Sequence, residues 1–284
     1  MKKIVFTLLF IFGISALSFA QLKNKNGEKI LPEAGEFSIG VDAVPFINYL
    51  GNFFNGTIGN STSWSFVDNV SQSVLAKYMI DEKSAYRVGL RIGFVHNSVT
   101  NNLVQKDGDP AKYVQDKASQ SDMNVVLMAG KEFRRGKGRL QGYYGAEAHV
   151  AFGTSNVNFT YGNSFETAYP TPLTTSWSAS RGNAPTPTGM TTQSSRPLSQ
   201  GFGTIFGFGA RAFAGVEYFI LPKLSFGGEF GWGLGILSMG KGKMTTESWT
   251  GTETKSTSIE TIGASQFGID TDNFNGRLAL QFYF

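Results

Sequence analysis

The residues equipped for chemistry are few in this 284-residue chain, and most are charges placed one at a time. With no Cys and two His, the chain has no disulfide, no thiolate metal site and no cysteine nucleophile, and too little imidazole for a His-rich metal centre. His96 and Ser98 stand two residues apart, a spacing that sets a base beside a hydroxyl nucleophile for ester hydrolysis. A carboxylate to orient the imidazole would have to come from Asp116 or Asp122, and nothing in the pattern brings either one near. Two residues at this spacing arise readily by chance, so they are read as the start of a surface loop. No catalytic residue is assigned and no enzyme is expected. His149, two residues beyond Glu147, reads as a hydrogen-bonded interior side chain. Asp107-Gly108-Asp109 is solvated turn chemistry rather than a calcium loop. Gly201-Phe202-Gly203 and Gly231–Gly235 lack the Lys and the strand-to-helix context of a phosphate loop. Neither cofactor nor metal is expected. What remains is a set of ten charges: Asp42, Lys77, Arg87, Arg91, Glu132, Glu147, Arg211, Glu217, Glu229 and Arg277.

Strands are the elements that must place these charges. Eight segments alternate apolar and polar or Gly positions with a period of two: 37–43, 74–80, 86–94, 123–130, 140–152, 206–218, 224–234 and 274–284. Within each, one face is Val, Leu, Ile, Ala and aromatic, and the other is Gly with isolated charges. All ten charges fall on the Gly-rich face. Lys77, Arg87, Glu132 and Glu217 lie near the short turns, and the other six lie further up. Each layer is neutral, so we expect an internal salt-bridge network that fills the lumen, because buried ions are tolerable only when paired. A lining for an ion path would more often carry an excess of one sign.

The connections alternate in length. Residues 81–84, 135–138 and 221–223 are tight turns, whereas 47–71, 98–120, 155–199 and 241–271 are long, polar loops. Short turns at one end and long loops at the other, with both termini at the short-turn end, predict an all-β fold. The predicted architecture is an eight-stranded antiparallel transmembrane β-barrel with four long extracellular loops and three short periplasmic turns. The composition agrees: 16% charged and 35 Gly, against about 25% charged and about 7% Gly in soluble domains. Aromatic residues at both ends of the apolar face match two interfacial girdles. A soluble sandwich would instead carry Lys, Glu and Thr on its second face.

Residues 1–20 read as a secretory signal peptide, with Lys2-Lys3, an apolar run from Ile4 to Leu17 and Ser18-Phe19-Ala20 before the cut. Residues 21–35 are then a periplasmic N-terminal segment and 36–284 the barrel. Loss of Lys2 and Lys3 lowers the net charge from +4 to +2, too small to suggest a nucleic-acid partner. The signal segment, eight strands, four long loops and final aromatic Phe284 resemble the small outer-membrane β-barrel proteins related to the OmpA transmembrane domain and OmpX. The terminal Phe282-Tyr283-Phe284 resembles the signal read by the barrel-insertion machinery in that group. The resemblance implies outer-membrane localisation in a Gram-negative envelope, with outer-membrane lipid and that machinery as partners. Members of the group serve as anchors, adhesins, small channels and occasionally enzymes, so the fold alone does not fix the activity.

A specific function would lie in the loops. Phe46, Ile47, Leu50, Phe53 and Phe54 fall on one face of a helix begun by Pro45. That face is either a lid over the barrel mouth or a contact for an envelope-complex partner or surface ligand. The loop at 155–199, dense in Thr, Ser and Pro, is expected to be too poor in apolar residues to pack by itself, though an added hairpin within it would give ten strands. Thr245–Ser258 is expected to form an exposed ribbon. The turn Arg134-Arg135-Gly136-Lys137-Gly138-Arg139 is expected to be solvated near inner-leaflet headgroups. The function expected is a structural or surface-binding barrel protein with a non-conducting lumen. The alternatives are a narrow channel for small solutes, an accessory subunit of an outer-membrane complex, and a lipid hydrolase at His96 and Ser98, whose spacing resembles that of the outer-membrane lipid deacylases.

Overall fold

The computed structural model describes residues 23, 27–42, 74–105, 112–136, 138–271 and 277–284. The signal segment and the 46–54 helix expected from the sequence lie outside them. So do the side chains of Asp42 and Arg277.

The described chain is all-β, with fourteen strands. They are β1 (Phe37–Asp42), β2 (Val74–Asp81), β3 (Ser84–Val104), β4 (Tyr113–Arg135), β5 (Leu140–Thr160), β6 (Leu173–Ser178), β7 (Thr186–Thr192), β8 (Ser195–Gly201), β9 (Ile205–Leu221), β10 (Leu224–Met239), β11 (Lys243–Trp249), β12 (Thr254–Glu260), β13 (Ala264–Thr271) and β14 (Arg277–Tyr283). Eight of them pair antiparallel in a closed ring, in the order β1, β2, β3, β4, β5, β9, β10, β14 and back to β1. The expected count of eight therefore holds for the ring but not for the chain. The other six strands lie in two of the long loops: β11 and β12 form the exposed ribbon expected there, while β6, β7, β8 and β13 were not expected as strands of their own.

Short connections fall where expected. β2 passes to β3, β4 to β5 and β9 to β10 within a few residues. Asp81 holds the first of these turns by accepting the Lys83 N–H (2.7 Å) and the Ser84 hydroxyl (3.0 Å). Lys223, in the third, adopts a left-handed φ of 61°. Its N–H donates to the Ile30 carbonyl (3.1 Å), and its ammonium reaches the Leu31 carbonyl and Glu36. Those contacts hold a conformation that a side-chain-bearing residue otherwise avoids.

The N-terminal segment is docked rather than free. Ile30, fully buried, packs with Met79, Ala85, Phe219 and Tyr283 across the short-turn end of the ring. The first and last ring strands close there, with Phe37 and Phe284 exchanging backbone hydrogen bonds of 3.0 and 2.9 Å.

At the opposite end the ring strands run on as a sheet in the order β3, β4, β5, β8, β11, β12. The loop expected to be unpacked is folded. β6 and β7 form a separate two-stranded hairpin, β8 joins the sheet, and the ring stays at eight rather than ten. A second small core forms from Ala118, Val157 and Phe159, with Tyr161, Trp177, Ala179 and Phe202 against it. Buried polar groups fasten it. Fully buried Asp116 accepts the N–H groups of Gly162 (2.9 Å) and Thr175 (2.7 Å). Arg196 ties the Asn163 carbonyl (2.7 Å) to Glu247 (2.6 Å) and stacks over Tyr161.

Candidate functional site

The ring's interior is one connected charge network. In a strand, successive side chains alternate faces, so β2, β3, β4, β5, β9 and β10 each send their odd or even positions inward as a set. Register then makes Lys77 and Arg87 direct cross-strand neighbours, an unfavourable like-charge pair on its own. Acids from further round the ring resolve it. Lys77 lies 3.0 Å from Glu132 and 3.7 Å from Glu217. Arg87 makes a bidentate pair with Glu229 at 3.0 and 3.2 Å, and meets Glu147 at 3.1 Å and Glu132 at 3.6 Å. Arg211 bridges Glu147 (3.1 Å) and Glu229 (2.8 Å). His149 lies on the interior face as expected, with Nε2 3.2 Å from Glu147, but that nitrogen makes no hydrogen bond among the described residues. Arg91 is also buried on this face.

The sequence reading needs two corrections here. The expected layers are not separate: Arg87 joins Glu132 below to Glu147 and Glu229 above. Arg134, expected to be solvated in a basic turn, is 2% exposed. It donates to Glu217 (2.5 Å) and to the Tyr283 hydroxyl (2.8 Å), and lies 3.6 Å from Glu132. Strand parity was the available signal, since Arg134 lies two residues past inward Glu132. The neighbouring Gly and basic residues hid it. With Arg134 included, four cations (Lys77, Arg87, Arg134, Arg211) face four carboxylates (Glu132, Glu147, Glu217, Glu229).

Neutral groups complete the packing. Tyr283 and Ser225 donate to Glu217, and Gln281 donates to Ser38. The Arg87 guanidinium lies 4.0 Å from the Phe213 ring centroid, and Lys77 lies 4.8 Å from that of Tyr143. Glycine makes the room. A Cβ on Gly145 would stand 2.7 Å from the Phe213 ring, and one on Gly231 would stand 2.5 Å from Arg211. The cavity left among Lys77, Arg87, Tyr143, Glu217 and Glu229 is about 20 Å³, space for a single water.

The outer face is built of different chemistry. Phe37, Ile39, Tyr78, Tyr86, Val88, Leu90, Ile92, Phe94, Leu127, Val150, Phe152, Phe206, Phe208, Phe230 and Trp232 are all exposed. So are Phe282 and Phe284, the terminal aromatics expected to signal assembly. Toward the long loops each strand then turns polar: Phe94 gives way to His96, Met123 to Ser121, Ile236 to Ser238 and Phe267 to Ser265.

The His96–Ser98 pairing is not formed. His96 Nδ1 lies 2.9 Å from Ser121 Oγ on the neighbouring strand, and Ser98 lies 3.5 Å from Ser119. Asp116 is committed to the loop backbone, and Asp122 takes the Gly182 N–H and Gln120. Neither orients the imidazole. Among the described residues no group of three metal-binding side chains converges. Compared with known protein families and with curated proteins, the chain matches none.

Proposed function

We propose that the chain is an exported eight-stranded transmembrane β-barrel of the outer membrane, with a non-conducting lumen, that serves as a structural or surface-binding protein. The observation that carries this reading is the inversion of the ring. Its outward face is apolar and aromatic, while its inward face carries buried ion pairs in the short-turn half and, beyond them, Gly residues beside a cavity of about 460 Å³ lined by His149, Gly209, Arg211 and Gly233. A soluble protein would place these faces the other way round. The dimensions suit a bilayer. The outward apolar run of β5, from Leu140 to Phe152, is about 40 Å long at about 3.3 Å per residue, or about 28 Å in height at a tilt of about 45°. Aromatic residues at its lower margin, such as Phe133 stacked on Tyr144 at 5.6 Å, suit the headgroup level.

Two barriers support the non-conducting reading, the Ile30 cluster at the short-turn end and the charge network; the Trp177–Phe202 cluster caps the sheet extension beyond them. The surface offered to a partner is the β11–β12 ribbon. All seven residues of β12 are exposed, and β12 ends the sheet, with a free edge among the described residues. Such an edge can add an extended segment of another protein through main-chain hydrogen bonds.

Purified protein in planar bilayers tests the closed lumen, and no steady single-channel step is expected. A reproducible step would favour the small-solute channel. The membrane reading fails if the chain lacking residues 1–20 is monodisperse in buffer without detergent and shows no heat-dependent gel shift.

A further inference from the structure

Lys131 breaks the pattern of the outer belt. From the His96–Ser121 level down to the Tyr86–Lys131 level, no other outward position on the described ring strands is charged; Asp81, paired with Ser84, and Arg135 follow at the short-turn end. Lys131 points outward, paired across the sheet with Tyr86 on β3 and Ala146 on β5. Its ammonium lies 5.9 Å from the Tyr86 ring centroid and 5.2 Å from that of Phe133, whose ring stacks on Tyr144. Ala146, with only a methyl group, leaves the side toward β5 open.

Among the described residues, none offers Lys131 a carboxylate within ion-pair distance. Asp81, the acid that Lys131 feels through charge, is held by the Lys83 N–H and the Ser84 hydroxyl and forms no ion pair with it. The rings attract the cation, and its three N–H donors make no hydrogen bond among the described residues. A lysine on a lipid-facing strand is tolerated close to an interface, where its charge reaches headgroups. The aromatic neighbours place this one at the interface on the short-turn side.

We propose that Lys131, framed by Tyr86 and Phe133, holds the phosphate of an anionic phospholipid headgroup in the leaflet on the short-turn side. The proposal rests on the membrane reading above. The phosphate oxygens accept from the ammonium, and the acyl chains run along the apolar outward face above it.

The test is native mass spectrometry of the full mature protein, released from mild detergent after exchange with phosphatidylglycerol and phosphatidylcholine of equal chain length. The wild type should retain phosphatidylglycerol over phosphatidylcholine by about fivefold, as one lysine near a lipid surface implies. Lys131→Arg should keep the preference, and Lys131→Gln should lose it while retaining the heat-dependent gel shift. Equal retention of both lipids by the wild type, or an unchanged preference in Lys131→Gln, overturns the site. Preference for lipid A over phosphatidylglycerol overturns the assigned leaflet. Retention of neither lipid by a protein that stays dispersed without detergent defeats the membrane reading itself.

Discussion

Glu217 holds two cations and two hydroxyls at once, and its loss shows how the interior works. Lys77, Arg134, Ser225 and Tyr283 all converge on its carboxylate. Glu217→Ala should cost about 3–5 kcal/mol, because two buried cations lose a counter-charge that water cannot replace. Urea unfolding from lipid vesicles, followed by tryptophan fluorescence, measures it. At the other end, burial pushes the Tyr161 hydroxyl above its ordinary value of 10.0. Its proton is held more tightly in the folded state than in the unfolded one. The stability it lends the cap is therefore complete below about pH 10 and is lost as pH rises through the higher folded value. Phenolate absorbance should show Tyr161 titrating after the exposed tyrosines, and Tyr161→Phe should remove one equivalent from that late phase.

At the level of elements, the β6–β7 hairpin depends on a residue far away in sequence. Asp116 accepts N–H groups from Gly162 and Thr175, so Asp116→Ala strands two backbone donors and should weaken the cap by about 1–3 kcal/mol. Limited proteolysis should then cut within 162–194 at sites resistant in the wild type, while the ring survives. This hairpin also marks where the sequence stopped being readable. Ring strands such as Tyr86–Phe94 declare themselves because one face is apolar and outward and the other lines a crowded interior, which gives strict alternation. Thr186–Thr192 and Thr254–Glu260 have polar residues on both faces, so their strand character rests on pairing partners brought in by the fold. Strand parity was enough to place Lys77, Arg87, Glu132, Glu147, Arg211, Glu217 and Glu229 inside. It could not say which pairs meet, because register and side-chain reach decide that Arg87 links both levels. For Arg134 the parity was present but was outweighed by turn composition. At His96 the partner came from the next strand, Ser121, which spacing along one strand cannot reveal.

For the whole molecule, charge burial and ring closure are the same constraint. Some ion pairs join strands distant in sequence, such as Arg87 with Glu229 and Lys77 with Glu217, so the interior is fully neutralised only when the ring is complete. Completion depends on β14, which pairs with β1 on one side and β10 on the other. Removing residues 278–284 should therefore abolish the heat-dependent gel shift entirely rather than merely lower the melting temperature. Phe37 and Phe284, bonded to each other, give that dependence a kinetic meaning. β1 keeps one margin bare until β14, more than two hundred residues further along the chain, is in place. Residues 278–284 thus act as the latch that turns an open sheet into a ring.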